Sequence, residues 1–248
     1  MLGDRDVLMD PALLWAGAGA VLIGLAKNGV PGLGILVVPL LAHAFPARES
    51  VGILLPMLIV GDVTAIILYR RHAQWRKLLG LLPYVILGGI VAGFVLARLD
   101  NESLRPLLGA LILGLLVLEL IRMRANWIRL PHHPLFVGGI GVSAGFATTI
   151  GNAAGPIMNL YFLSRALPKH QFVGTAAWFF FVVNASKVPL YVHLDMITGQ
   201  TLLLNVAMVP LILLGALAGY KLLPVIPQKL FNGLVLAVTA LAALGLLW

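Results

Sequence analysis

The chain has 248 residues, of which 60% are hydrophobic and only 10% charged, whereas an ordinary soluble domain carries about 25% charged residues. Seventeen Lys and Arg with nine Asp and Glu cannot coat a soluble globule of 26.5 kDa, and the mean hydropathy of +1.02 turns most of the surface toward lipid. The absence of cysteine excludes disulfide frameworks, thiolate metal sites, iron–sulfur clusters and cysteine nucleophiles. A net charge of +8 raises the question of a phosphate backbone as partner, but all the basic residues except Lys27 and Lys187 sit between or at the ends of apolar segments. There Lys and Arg set membrane orientation, so no nucleic-acid partner is expected. The start, Met1 to Asp6, is net acidic and lacks the cationic region of a secretory signal; the first apolar stretch is expected to be retained.

Apolar stretches run over 12–44, 51–69, 79–97, 104–121, 135–166, 172–192, 202–222 and 230–248. An isolated strand cannot satisfy its backbone in lipid, and no alternating ten-residue barrel pattern appears, so these eight segments are predicted as helices. The fold class is an all-α integral membrane protein, one transmembrane domain over 1–248. Two segments are anomalous: 12–44 and 135–166 would each span roughly 50 Å as continuous helices, against a hydrocarbon core of roughly 30 Å. Each carries a helix-breaking cluster in its middle, Lys27-Asn-Gly-Val-Pro-Gly-Leu-Gly34 and Thr148-Thr-Ile-Gly-Asn-Ala-Ala-Gly-Pro156.

Both anomalies open a half of the chain, and the halves match. Gly24 and Lys27 align with Gly145 and Thr148 at an offset of 121, which also sets Gly34 on Gly155. An offset of 122 sets Gly52 on Gly174, Asp62 on Asn184, Thr64 on Ser186 and Tyr69 on Tyr191, and 126 sets Gly89-x-x-x-Gly93 on Gly215-x-x-x-Gly219. The predicted organisation is repeat 1 over 1–122, a basic linker over 123–134 containing Arg124 and Arg129, and repeat 2 over 135–248.

Loop charge decides the relative orientation of the halves. If every segment crosses once, inside loops hold eight Lys and Arg against seven outside, which is no bias. If the two long segments are hairpins returning to the side they entered, the inside holds eleven (Arg70, Arg71, Arg76, Lys77, Arg122, Arg124, Arg129, Arg165, Lys169, Lys221, Lys229) against four outside, as cytoplasmic loops require. The charges therefore predict an inverted repeat with a broken, re-entrant hairpin opening each half, Trp248 outside and the 70–78 loop inside. Inverted repeats with helices broken at the midplane are a recurrent transporter architecture, with the substrate where the breaks meet.

Ionisable groups at membrane depth are functional candidates because burial costs several kcal/mol, and three lie well inside apolar segments: Lys27, Asp62 and Lys187. A buried packing pair, or a lysine snorkelling to the interface, is the structural alternative. The second helix of each break, starting near Gly32–Gly34 and near Gly155–Pro156, directs unsatisfied N–H groups and a partial positive charge at the membrane centre, which suits an anion. Gly29, Gly32, Gly34, Gly151 and Gly155 admit close approach of a ligand, while Asn28, Asn152, Thr148 and Thr149 add neutral hydrogen-bonding groups. Asn184, Ser186 and Lys187 share one helical turn and have Asp62 and Thr64 among their repeat counterparts, so their helices are expected to cross near the pseudo-twofold axis. Polar residues there equally suit interhelical packing. The matched Gly-x-x-x-Gly pairs read as packing faces.

Other patterns carry less. Gly141-Val-Ser143-Ala-Gly145 has nucleophile-elbow spacing but no strand-to-helix turn or partner acid and histidine, so an enzyme is not expected. His132-His133 lacks further ligands, His43 ends its segment as a polar interfacial residue, and no strand precedes Gly29–Gly34 to make it a nucleotide loop. No cofactor and no metal are expected.

The early segment with Gly29-Val-Pro-Gly-Leu-Gly34 followed by Pro39, its counterpart at Gly151–Pro156 and the duplicated layout over essentially the whole chain resemble the sulfite exporter TauE/SafE family. The resemblance implies a cytoplasmic-membrane protein that moves sulfur-containing anions such as sulfite, sulfonates or thiosulfate. This sequence has fewer glycines in its second break than the family pattern. The expected function is a secondary transporter for such an anion, alternating access around 27–34 and 148–156, with Asp62 coupling transport to protons if it protonates. An anion channel would use the same site. The expected partners are the anion and membrane lipid, and a homodimer is compatible with the reading.

Overall fold

The computed structural model describes residues 11–29, 33–69, 73–124, 133–164 and 169–222, together with 237, 240, 241 and 243–247. All regular structure among them is helical: α1 (Pro11–Asn28), α2 (Gly34–Ala44), α3 (Ala47–Tyr69), α4 (Trp75–Leu79), α5 (Leu82–Leu96), α6 (Asn101–Arg124), α7 (Pro134–Gly151), α8 (Gly155–Ser164), α9 (Lys169–His193) and α10 (Gly199–Leu222). Six of these, α1, α3, α6, α7, α9 and α10, contain spans long and apolar enough to cross a bilayer, while α2 and α5 are shorter apolar helices. Of the eighth predicted segment, 230–248, most lies outside the described residues, as do residues 125–132 of the linker predicted over 123–134.

Local chemistry explains the boundaries. Asp100 opens α6 by accepting the Ser103 N–H at 2.8 Å, and this bond, with that of the Ser103 hydroxyl, holds its carboxyl below the usual range. His133 caps α7 by accepting the Leu135 N–H at 3.3 Å, with Pro134 in the first turn where its missing N–H costs nothing. Thr198 and Thr201 cap the start of α10 reciprocally, each side chain accepting the other's N–H, at 3.3 and 2.8 Å. The segment predicted over 79–97 is α5, and the short α4 stands ahead of it, separated by Gly80-Leu81. Pro83, in the first turn of α5, would clash with the carbonyl of Leu79 if the helix ran through.

Each long predicted segment is also two helices. Beyond the first break α2 folds back along α1: a Cβ on Gly19 would lie 3.3 Å from the Val37 side chain and 3.4 Å from Leu41, and one on Gly34 4.0 Å from Ala26. Residue numbers that rise on one helix as they fall on the other make the pair antiparallel. At the second break α7 ends on Asn152 in the left-handed region, φ 54°, its N–H bonded to the Thr148 carbonyl at 2.9 Å and that of Ala153 to Ala147 at 3.3 Å. Asparagine is among the few residues that adopt this conformation cheaply, and α8 starts three residues later, at Gly155, with Pro156 in its first turn.

Glycines set the two tightest helix crossings. A Cβ on Gly24 would run into the Ile212 carbonyl of α10, and one on Gly215 into Val21 of α1, with Gly219 against Leu25 at 3.0 Å. Likewise a Cβ on Gly145 of α7 would run into the Val85 carbonyl of α5, and one on Gly88 into Val142. Gly17 lies against Leu211 and Leu25 against Gly219, and Leu81 lies against Gly141 and Gly89 against Thr149; numbering therefore rises together along both pairs, so α1 runs parallel to α10 and α7 parallel to α5. The opening helix of each half thus packs on a late helix of the other; Gly24 and Gly145 are aligned in the sequence repeat, whereas the α5 glycine that matches Gly215 in space is Gly88 and not the aligned Gly89.

One end of the bundle is tied by Arg48. Its Nη1 donates to Leu96 O at 3.0 Å and Leu99 O at 2.6 Å, and its Nη2 to Leu194 O at 3.1 Å, while its backbone N–H donates to Asn101 Oδ1 at 2.9 Å. The beginnings of α3 and α6 and the ends of α5 and α9 therefore meet at this end. At the other end Gln74 N–H donates to Thr175 Oγ1 at 3.0 Å and Trp75 packs on Trp178 with ring centres 5.0 Å apart, joining α4 to the beginning of α9. The outer face carries exposed Ile67, Ile86, Ile90, Phe94, Leu203, Val206 and Leu217, an apolar belt far larger than water tolerates.

Candidate functional site

The three ionisable residues singled out from the sequence converge where α3 and α9 cross. The Lys27 Nζ lies 2.6 Å from Asp62 Oδ1, with Asp62 fully buried and Lys27 15% exposed. The other carboxylate oxygen accepts from Asn184 Nδ2 at 2.7 Å, so the two repeat counterparts on α3 and α9 bond to each other. The ammonium of Lys27 also sits 4.3 Å from the centre of the Phe180 ring, a cation–π contact.

Lys187 does not snorkel; it is 5% exposed. Its ammonium donates to Thr148 O and Thr148 Oγ1, both at 2.9 Å, and to Asn152 Oδ1 at 2.6 Å. These three bonds use all three of its hydrogens and complete the carbonyl end of α7. Asn152 in turn donates to Val51 O at 3.0 Å, which fastens the second break to α3. Tyr191 OH donates to Thr149 O at 2.9 Å.

A cavity of about 110 Å³ lies between the breaks, lined by Lys27, Gly29 and Gly34 from the first and by Thr148, Asn152 and Gly155 from the second. Pro156, Asn159, Phe180 and Asn184 complete its polar and aromatic wall. It is much smaller than the 300–1,000 Å³ that drug-sized ligands occupy and has room for a few waters or a small ion. The formal charges of Lys27 and Asp62 cancel, so the excess field at the cavity comes from the first turns of α2 and α8, whose unpaired N–H groups make their starts partly positive.

The structure does not gather every predicted site residue here. Asn28 turns away, donating to Gly24 O at 3.1 Å and Thr64 Oγ1 at 3.0 Å, with its buried Oδ1 unpartnered. Gly151 packs on α6, where a Cβ would stand 2.6 Å from Leu108. Ser186 bonds back to Val183 O at 2.8 Å, and with Thr149 and Lys187 it lines a different cavity on the far side of Thr148. Gly32 lies outside the described residues. Ser143, of the elbow-like pattern, is an exposed residue in mid-α7.

Sequence reading missed Asn159 and Phe180. Asn159 is a polar residue one turn into α8, and that isolated position in an apolar stretch was the available signal. Phe180 stands one turn before Asn184, but in a run of aromatics it reads as lipid-facing.

The family model described as sulfite exporter TauE/SafE matches residues 16–246, nearly the whole chain. The chain belongs to the sulfite exporter TauE/SafE family. No curated protein and no solved structure matches it. With its apolar spans, this TauE/SafE member is a multi-pass protein of the cell membrane, and the small cavity between its two helix breaks is the candidate site.

Proposed function

We propose that the chain is a secondary transporter that moves a small sulfur-containing anion, namely sulfite, a sulfonate such as sulfoacetate, or thiosulfate, across the cytoplasmic membrane by alternating access. The single observation that carries this reading is the cavity in which Lys27 meets the first turns of α2 and α8. Two sets of directed N–H groups, beside an ammonium whose charge Asp62 balances until an anion takes it, favour a compact oxyanion in this small space over a cation or a neutral solute. The substrate site comprises Lys27, Gly29, Gly34, Thr148, Asn152, Gly155 and Asn184, with Asn28, Gly32, Thr149, Gly151, Ser186 and Lys187 in its surround. The family description supplies the sulfur.

The halves, 1–122 and 135–248 about the linker 123–134, are read as an inverted repeat with a re-entrant hairpin opening each. Supporting this are the antiparallel pairing of α1 with α2 and the exchange of opening helices across the glycine crossings. The bond between the counterparts Asp62 and Asn184 supports it further.

Coupling follows from the ion pair. An anion that takes the Lys27 ammonium leaves the Asp62 carboxylate buried without its partner, a state costly enough that the carboxylate takes a proton. Anion and proton then move together.

Transport by purified protein in liposomes, with and without a pH gradient, tests the reading across sulfite, sulfoacetate, taurine and thiosulfate. Lys27→Ala expressed at normal level is expected to abolish transport, and unimpaired transport would remove Lys27 from the site. Acceleration of labelled-anion uptake by unlabelled anion on the opposite side is expected of a carrier; steady conductance without such counterflow would replace the carrier by a channel.

A further inference from the structure

A second cavity, of about 530 Å³, lies between α5, α7 and α9. Its polar wall is Thr148, Thr149, Ser186 and Lys187, and it reaches Ala97, His193 and Leu194 at the end of the bundle that Arg48 ties together. The first cavity runs the other way along the same helix, from Asn184 through Phe180 and Ala177 to Phe172 near α4. Together the two follow α9 from Phe172 to Leu194, roughly 33 Å of helix, which is the thickness of the hydrocarbon core.

Among the described residues the two cavities share Thr148 alone. That residue is where the Lys187 ammonium binds twice, its third hydrogen going to Asn152 in the wall of the first cavity. With all its hydrogens donated, Lys187 offers nothing to an anion in this arrangement. Its bonds hold the end of α7 across the line joining the cavities.

We infer that the two cavities are the opposite vestibules of one anion pathway and that Lys187 is the latch closing it between them, holding Thr148 and Asn152. This rests on the transport reading above, and it adds the route and the barrier. Release of Thr148 and Asn152 lets the end of α7 withdraw and frees the ammonium to meet the anion leaving Lys27. Lys187 is thus a positioning residue when closed and a substrate contact during passage.

The chain contains no cysteine, so single thiols can be placed without altering a background. Ala177→Cys lines the first cavity and Leu190→Cys the second. Each is treated in sealed vesicles of either orientation with a charged, membrane-impermeant methanethiosulfonate reagent. The expected result is that Ala177→Cys reacts from one face of the membrane and Leu190→Cys from the other. Reaction of both from the same face overturns the inference, as does reaction of Leu190→Cys only with a lipid-soluble maleimide, which would make the second cavity a lipid groove.

In Lys187→Met the protected face of each thiol is expected to react about tenfold faster or more, since a hydrogen bond to a charged group is worth at least that in an opening equilibrium. Thr148→Val, which removes one of the three acceptors and keeps the ammonium, should give a smaller rise of the same sign. Unchanged face selectivity in both variants overturns the latch. Labelling reads solvent access and not cargo, so a chain that labels as expected but carries none of the sulfur anions refutes the substrate reading and leaves the pathway standing.

Discussion

Replacing Asp62 by Leu removes the carboxylate that pairs with Lys27 and leaves an ammonium, 15% exposed and previously 2.6 Å from its partner, facing the Phe180 ring. Replacing Lys27 by Met leaves instead a carboxylate with no exposure at all, held only by Asn184. Breaking a buried pair from either side costs about 3–5 kcal/mol because the remaining charge is uncompensated, while replacing both partners by apolar residues of similar volume is close to neutral. Each single variant should therefore lose roughly 10 °C in midpoint of thermal unfolding in detergent, taking about 2–4 °C per kcal/mol for a chain of this size. The double variant, Lys27→Met with Asp62→Leu, should recover most of that loss, giving a coupling energy of several kcal/mol in the cycle. Transport in liposomes should stay abolished in the double variant although its stability returns. That separation distinguishes a charge kept for passage of an anion from one kept for packing. A double variant as unstable as the worse single would refute the reasoning, since the pair would then be stabilising in its own right.

Gly24→Ala should destabilise by about 1–3 kcal/mol, because its Cβ meets the Ile212 carbonyl and the helices must move apart. Gly80→Ala, with no atom within 4 Å of the new Cβ, should leave thermal unfolding unchanged. Arg48→Met strips the donors from Leu96, Leu99 and Leu194 carbonyls; at about 1.5–3 kcal/mol for each bond to a charge, it should cause the largest loss of any substitution at that end of the bundle, measured by the same assay. Asp100, whose carboxyl is held low by its bonds to Ser103, contributes stability that is present above about pH 4, the unfolded value. That contribution disappears as pH falls through the lower folded value, so the unfolding midpoints of wild type and Asp100→Ala should converge on acidification.

Much of the bundle is legible in the residues because lipid leaves so few options. A span must be apolar and must satisfy its own backbone, so composition alone yields helices over 51–69, 104–121, 172–192 and 202–222, close to α3, α6, α9 and α10. The breaks at 28–34 and 151–156 are equally readable, because an over-long apolar stretch with Gly, Pro and Asn at its centre cannot continue. The short α4 was missed because Trp75–Leu79 carries too few apolar residues to stand out before the apolar run that becomes α5. Repeat arithmetic aligned Asp62 with Asn184, and those two are hydrogen-bonded.

The partnerships of the charges were beyond the sequence. The sequence leaves Asp62 free to pair with either lysine, and the approach of α1 to α3 at Gly61, where a Cβ would stand 3.0 Å from Lys27, gives it to Lys27. Lys187 looked free to reach the interface or to line the first cavity. The left-handed turn at Asn152 brings three acceptors to one point, and they hold it away from that cavity. Thr149, Ser186 and Lys187 share a segment with the site residues but fall on the other side of Thr148, because helical rotation of 100° per residue sends neighbours to different walls.

The sequence by itself determined the solvent, the class of element and the positions of the breaks, since each is a local or periodic property of composition that the bilayer enforces residue by residue. Only the tertiary structure decided which lysine neutralises Asp62, which closes the end of α7, and that the polar residues divide between two cavities. Those outcomes depend on how closely helices far apart in the chain approach each other, and backbone contacts at Gly24, Gly88, Gly145 and Gly215 set that distance.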